Sequence, residues 1–204
     1  MEDLTSYPDI EHGGTPAMPE PSDEELLGRF SDGDATAARL LTGRLGPRSY
    51  SVALRMLGNP AEAEDVTQEA MMRLWKMAPD WVPGQAQLST WLYRVTLNLC
   101  VDLRRKKRPQ ALDNVAEPED ETASVVDQMQ ESARKDALQA ALEHLPDRQR
   151  QAVVLRHIEE LSNPEIAGIM DISVEAVESL TARGKRSLTA ILAGRRDELG
   201  YEHG

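Results

Sequence analysis

Apolar residues in this chain return every three or four positions over nearly its whole length, and they nowhere alternate in the manner of a half-buried strand. Val66, Ala70 and Leu74 recur at four-residue steps, and Leu92, Val95, Leu99 and Leu103 form a second such stripe. Runs of β-branched and aromatic residues of strand type are absent. The chain must therefore close its core with helices alone, and the fold expected is all-α. Apolar residues make up 40% of the sequence but aromatics only 4%, so Leu, Val, Ile, Met and Ala have to fill that core. A length of 204 residues accommodates one ordinary domain or two small ones.

Breaks in the helical pattern divide the chain. Residues 1–22 carry Pro8, Pro16, Pro19, Pro21, Gly13 and Gly14 with little to bury, and read as a disordered lead. A helical block runs over 23–108. Residues 109–131, acidic and interrupted by Pro109 and Pro118, read as a flexible linker, and 132–204 form a second helical block with a C-terminal tail. The expectation is two small helical domains on a tether.

Net charge is -12, from 23 Lys+Arg against 35 Asp+Glu, but the charge is segregated. Residues 1–35 hold ten acids and only Arg29, and residues 113–136 hold eight acids against Arg134 and Lys135. Six cations and one acid lie between Arg94 and Arg108, and Arg183, Lys185, Arg186, Arg195 and Arg196 cluster further on. A nucleic-acid surface is a local electrostatic footprint, so a negative total does not exclude one. The single cysteine, Cys100, sits in an apolar stretch and reads as a buried inert thiol. With one Cys and four His there is no zinc-site spacing, and no cofactor or metal is expected. No apolar run approaches the ~20 residues needed to span a bilayer, and no signal segment is evident. A cytoplasmic protein without membrane insertion is expected. No nucleophile–base pair or phosphate loop appears, so an enzyme is not expected.

Three segments carry recognisable chemistry. Asn59-Pro60 opens a helix, with Asn59 as cap and Pro60 at the first position. On it Asp65, Gln68, Glu69 and Met72 share a face away from the apolar stripe; spacing alone allows either a solvated face or a partner surface. A loop with Pro79, Pro83 and Gly84 then leads to a helix starting near Ser89 or Thr90. Trp91, Arg94, Asn98 and Arg105 lie on one face of it, and Arg104 to Arg108 are five consecutive cations. An aromatic beside a cation and a carboxamide suits unstacked bases, and the basic run suits phosphates. Trp91 and Tyr93 as packing residues on a solvated, dipole-favoured basic end explain the same pattern equally well. In the second block Ser162 or Asn163 caps a helix with Ile166, Ile169 and Met170 inward. Asp171-Ile172-Ser173 makes a turn, and Ser173 caps a second helix with Val177 and Leu180 inward. That is the layout of a helix-turn-helix, which inserts its second helix into the major groove, although an ordinary αα-hairpin shares the pattern.

In order and spacing, DEELLGRFSDGDATAARLL, AEDVTQEAMMRLWK, STWLYRVTLNLCVDLRRKKR and LPDRQRQAVVLRHIEELSNPEIAGIMDISVEAVES resemble the sigma factors of bacterial RNA polymerase, specifically the extracytoplasmic-function group. The resemblance covers 23–108 and 132–192. It implies a polymerase-docking and minus-ten domain at 23–108 and a minus-thirty-five reader at 132–204. It also implies promoter recognition and transcription initiation with core RNA polymerase (β′ and β subunits) and promoter DNA as partners. A dedicated anti-sigma factor acting in a stress or envelope response is implied as well. Asp65, Gln68, Glu69 and Met72 become polymerase contacts. Trp91, Arg94 and Asn98, with Arg104, Arg105, Lys106 and Lys107, become contacts to a flipped base and the melted strand; flipping costs a few kcal/mol of unstacking, which stacking and hydrogen-bonding groups offset. Ser173, Ser179, Thr181, Arg183, Lys185 and Arg186 become contacts of the reading helix.

Two positions depart from the family pattern. Asp171 stands where a glycine is common in the turn, and Asp tolerates a left-handed backbone. Glu175 and Glu178 occupy the reading helix where cations are common; a carboxylate accepts from a cytosine amino group but repels phosphate. A two-domain helix-turn-helix regulator is the alternative function, and it leaves the aromatic-basic helix and the DVTQE segment unexplained.

Overall fold

A computed structural model describes residues 20–107 and 126–194, with side chains in the second stretch from residue 133 onward. Residues 1–19 of the lead, Arg108, residues 109–125 of the expected linker (109–131) and the tail at 195–204 lie outside the described residues. Eight α-helices occur among them and no strand. They are α1 Asp23–Ser31, α2 Ala35–Leu57, α3 Pro60–Met77, α4 Leu88–Lys107, α5 Val126–Glu143, α6 Asp147–His157, α7 Asn163–Met170 and α8 Val174–Ala193. The all-α expectation holds. α5 begins at Val126, inside the stretch read as linker, because VVDQMQESARKDAL continues the helical register of the block that follows.

Helix ends follow from local chemistry. Ser22 caps α1 in a capping box with Glu25, Asp34 caps α2, and Asn59 caps α3 with Pro60 in its first turn, as expected. Gly58 ends α2 at φ 73, and its N–H reaches the Leu54 carbonyl at 2.8 Å. A residue with a Cβ would be strained there. Arg44 draws the start of α1 against α2, donating to the Pro21 carbonyl at 2.7 Å and pairing with Asp23 and Glu20 at 3.2 and 3.0 Å.

The core has two parts. Leu26, Leu27, Leu41, Leu45, Ala70, Leu74, Leu88 and Leu92 close α1–α4 at one end, flanked by the Phe30–Trp75 ring pair at 4.6 Å. The other part joins the two blocks: Val52, Met56, Tyr93, Leu97 and Cys100 share one apolar cluster with Leu142, Leu145, Val154, Ile166, Ile169 and Met170. The two expected domains are thus packed together in this structure. α6 explains why. Arg150, Gln151, Ala152, Val153, Val154 and Leu155 are all buried on it, so the helix has no solvated face and needs neighbours all round.

α6 and α8 approach closely at Gly184. A Cβ there would lie 2.5 Å from Val153 Cγ2 and 3.3 Å from the Gln149 carbonyl oxygen. Val153 is buried and β-branched, so it has little freedom to yield. Gly184→Ala is expected to destabilise the C-terminal half by about 1–3 kcal/mol despite the better helix propensity of alanine, measured as a lower midpoint in urea unfolding followed by circular dichroism.

Candidate polymerase and nucleic-acid interface

On α3 the inner stripe is Ala63, Val66, Ala70, Met71 and Leu74. The opposite face carries Asp65, Gln68 and Met72, all exposed, with Met72 at 51% the most conspicuous apolar group on it. Glu69 is half-exposed and accepts from Arg73 Nε at 2.8 Å, one turn on. Four residues singled out by spacing therefore stand together on one accessible acidic surface with an apolar centre.

α4 buries Leu88, Leu92, Tyr93, Thr96, Leu97 and Cys100. This stripe is rotated from the expected one: Val95, Leu99 and Leu103 are only partly buried, because α4 is covered from both sides, by α2 and α3 and by α7. Thr96 is satisfied inside by Ser49 at 2.8 Å and by the Leu92 carbonyl at 2.9 Å. Cys100 is buried, and burial pushes its thiol up to about 12, so it is an inert packing residue.

The DNA candidates on α4 separate. Asn98, Lys106 and Arg105 are exposed, the last paired with Asp102 at 3.1 Å. Trp91 is half-buried against the Leu88–Leu92 end of the core. Arg94 donates to the carbonyls of Gly168 and Ile169, the latter at 3.3 Å. Arg104 pairs with Asp147 at 3.1 Å and donates to the Met56 carbonyl at 3.1 Å. Lys107 pairs with Glu62. Of the basic run within the described residues, Arg105, Lys106 and Lys107 are exposed and Arg104 is half-buried, and Arg108 lies outside the described residues.

The second block forms the expected helix-turn-helix. Ser162 caps α7 in a capping box with Glu165. Asp171 takes the left-handed conformation at φ 53, so the turn survives without glycine. Ser173 caps α8, accepting from Ala176 N–H at 3.2 Å, and Val177 is buried. Ser179, Arg183, Lys185 and Arg186 are exposed along α8, as are Glu175 and Glu178. Arg183 Nε donates back to the Ser179 carbonyl at 3.2 Å, and Glu178 accepts from Asn163 at 3.4 Å. The Thr181 hydroxyl is enclosed and unpartnered, unlike its neighbours on the open face.

Sequence reasoning passed over Arg150, fully buried on α6, whose Nη1 donates to the Met56 carbonyl at 2.8 Å while Nε and Nη2 have no partner. It also passed over Glu159, which accepts from Ser51 at 2.7 Å and from Tyr93 at 2.8 Å. Arg150 carried a signal: an arginine one turn before Ala152, Val153, Val154 and Leu155 on a helix with no free face. Glu159 carried none, since a glutamate in IEEL reads as a loop acid. Among the described residues no cluster of His, Cys, Asp or Glu suits a metal, and no helix is long and apolar enough to cross a membrane.

Residues 41–110 match the family model of sigma-70 region 2, and residues 135–188 match that of sigma-70, region 4. The chain is 33% identical over 188 residues to the ECF RNA polymerase sigma factor SigE of Mycolicibacterium smegmatis, covering 88% of this chain and 72% of that protein. It is 35% identical over 183 residues to the ECF sigma factor SigW of Bacillus subtilis, covering 81% of this chain and 94% of SigW. The chain belongs to the extracytoplasmic-function sigma factors of the sigma-70 family. It is a transcription initiation factor and not an enzyme. Among solved structures, CnrH in complex with the cytosolic domain of CnrY superposes on this sigma factor with a TM-score of 0.64 at 26% identity, over 85% of this chain and 99% of CnrH. RpoE of Bartonella quintana, solved with the anti-sigma factor NepR, has a TM-score of 0.58 at 20% identity over 76% of this chain and 96% of RpoE, a likeness of fold.

The helix-turn-helix has a pH-sensitive entry. Hydrogen bonds from the Ser162 side chain and then its backbone hold Glu165 below its ordinary 4.5. A depressed folded pKa contributes stability that is present above the ordinary value and lost as pH falls through the folded one. Wild type is therefore expected to melt above Glu165→Gln at neutral pH, with the difference shrinking as pH falls below the ordinary 4.5; thermal melts across that range check this.

Proposed function

We propose that this sigma factor binds core RNA polymerase through the α3 face of Asp65, Gln68, Glu69 and Met72. On that reading it melts and holds the minus-ten element with Trp91, Arg94, Asn98 and the basic end of α4 (Arg104, Arg105, Lys106 and Lys107), and reads the minus-thirty-five element with α8. The division into a domain at 23–108 and one at 132–204 belongs to the same reading. The observation that carries it is the succession, on one chain, of a region 2 match bearing an exposed acidic-apolar face and a region 4 match built as a helix-turn-helix. On the reading helix Ser173, Ser179, Arg183, Lys185 and Arg186 are the DNA contacts. The enclosed Thr181 hydroxyl supports a packing role for that residue instead. The cytoplasm is the compartment such work requires, and a dedicated anti-sigma factor fits a chain with one buried cysteine and no metal cluster among its described residues to sense with; RpoE was solved with the anti-sigma factor NepR, and CnrH with the cytosolic domain of CnrY.

Two measurements test the assignment. Reversing Asp65 and Glu69 to Lys is expected to weaken binding to core polymerase by about 10–100-fold, in line with the cost of like-charge juxtaposition at an interface, while leaving the fold intact because both lie off the buried stripe. Unchanged affinity in a folded double variant would count against the docking face. Asn98→Ala, on an exposed residue, and Trp91→Ala are expected to reduce promoter melting by roughly tenfold or more, given ~1–3 kcal/mol per stacked base, with polymerase binding retained. Permanganate footprints of the bubble at wild-type intensity in both would remove α4 from strand capture.

A further inference from the structure

α8 is divided by charge along its length. Arg183, Lys185 and Arg186 stand on its later turns, while the exposed residues of its first two turns are Glu175, Glu178 and Ser179. A reading helix meets base edges with its N-terminal residues, so this one brings carboxylates to the floor of the groove rather than cations. We propose that Glu178 is a specificity-determining residue of this sigma factor, accepting a hydrogen bond from the amino group of a cytosine in the minus-thirty-five element. The proposal rests on the assignment of α8 as the reader of that element, and it names the base selected there.

The two glutamates are not equivalent. Glu175 lies in the first turn of α8, where the positive pole of the helix favours an acid. Its own backbone N–H, and then the Ser173 side chain, hold its carboxyl below the ordinary 4.5, so the helix start accounts for it. Glu178 lies beyond the first turn, where that attraction has fallen away. Ion pairing along the helix does not account for it either, because the residues three and four positions away are Val174, Glu175, Thr181 and Ala182. Its contact runs across the helix-turn-helix instead: Oε1 accepts from Asn163 Nδ2 of α7 at 3.4 Å, and Oε2 has no partner among the described residues. A bond near the upper limit for N–H···O steers the carboxylate and yields readily to a shorter one. The flank it occupies is open. Buried Val177 and Gly184 mark the inner line of α8, Glu178 lies about 100° round from it, and Ala182, one turn on and exposed, adds only a methyl beside it.

Among the four bases, cytosine is the one that fits. A carboxylate can only accept. Guanine presents its N7 and O6 acceptors in the major groove and thymine its O4 acceptor, so either would meet the carboxylate lone pair against lone pair. Adenine has an amino donor at N6, but the N7 acceptor stands beside it and repels the second oxygen. The amino group of cytosine at N4 has only a C–H for a neighbour. A wrong base also leaves the carboxylate out of water without a partner, so selection works by penalty as well as by attraction. Arg183, Lys185 and Arg186, further along α8, remain for the phosphates, which position the helix without reading sequence.

The test uses holoenzyme assembled from the full chain and core polymerase. Sequencing the 5′ ends of transcripts made on genomic DNA recovers the promoters, and their upstream element is expected to contain a position held by cytosine on one strand. Templates carrying each base in turn at that position then give initiation rates. Cytosine is expected to exceed the others by about tenfold, within the usual cost of one mismatched pair. Glu178→Ala is expected to level the four bases at that position alone. Glu178→Gln is expected to move the preference to adenine, whose N6 and N7 a carboxamide meets together. Glu175→Ala is expected to keep every preference of the wild type. A merely structural role for Glu178 would lower initiation on all templates alike. That result, a Glu178→Ala profile equal to wild type, or promoters with no cytosine-held position overturns the proposal. If the holoenzyme initiates on no DNA, the sigma-factor reading fails by itself. Selection of randomised duplexes by the full chain and by Glu178→Ala then decides the base preference on the same criterion, and a chain that selects no sequence overturns it.

Discussion

The end of α2 is the joint on which the structure depends. A helix leaves its last carbonyls without intrahelical partners, and their partial charges sum to a negative pole. Here those acceptors are filled from three other helices. The Met56 carbonyl takes Arg104 of α4 at 3.1 Å and Arg150 of α6 at 2.8 Å, and the Arg55 carbonyl takes Gln139 of α5 at 3.4 Å. Gly58, left-handed, turns the chain away at once and leaves room for them. One helix terminus in the N-terminal half thus organises the C-terminal half. Arg150 is the costly member: it is fully buried, and two of its nitrogens have no partner. Its desolvation is offset by the bond to the Met56 carbonyl, which it shares with Arg104 at a buried helix end.

The fold was legible wherever a local rule decided it. Asn59-Pro60, Ser162 or Asn163, and Ser173 marked their helix starts because a cap needs only a side-chain oxygen within three residues, and the structure settles the second on Ser162. Asp171 was legible as a turn residue for the same reason. What local rules do not encode is which face of a helix meets which neighbour. The stripe on α4 was read as Leu92, Val95, Leu99 and Leu103, but burial falls on Leu92, Tyr93, Thr96, Leu97 and Cys100. A helix packed on two sides hides more than one stripe, and periodicity reports only the more apolar one. The packing of the two halves was illegible for a related reason: it is held by Arg94, Arg104, Arg150 and Glu159, charged side chains that a sequence reading assigns to solvent or to DNA.

The candidate sites divide along the same line. On α3 the residues proposed for docking lie on a face that nothing else in the described chain covers, so spacing alone was enough to group Asp65, Gln68, Glu69 and Met72 on one side of the helix. On α4 the same reasoning grouped residues that the structure separates. Asn98 stands open, Trp91 is half in the core, and Arg94 and Arg104 are committed to the other half. A cation on a helix has the reach to serve either a phosphate or a carbonyl. Which it serves depends on conformation, and a sequence does not specify a conformation.

The acidity of the chain then has a physical place. With a net charge of -12, self-repulsion and repulsion from DNA act on the molecule as a whole, while the exposed cations of α4 and α8 act locally, within about a Debye length of ~8 Å at physiological salt. Independent attraction to DNA is weakest when those cations are also occupied internally, as Arg94, Arg104 and Lys107 are. The acidic face of α3 has no such internal occupant apart from the Glu69–Arg73 pair, and it stays available throughout. Electrostatics therefore divides the surfaces: the acidic face of α3 favours a positively charged protein surface, while the exposed cations Arg105 and Lys106 of α4 and Arg183, Lys185 and Arg186 of α8 act on a nucleic acid only at short range.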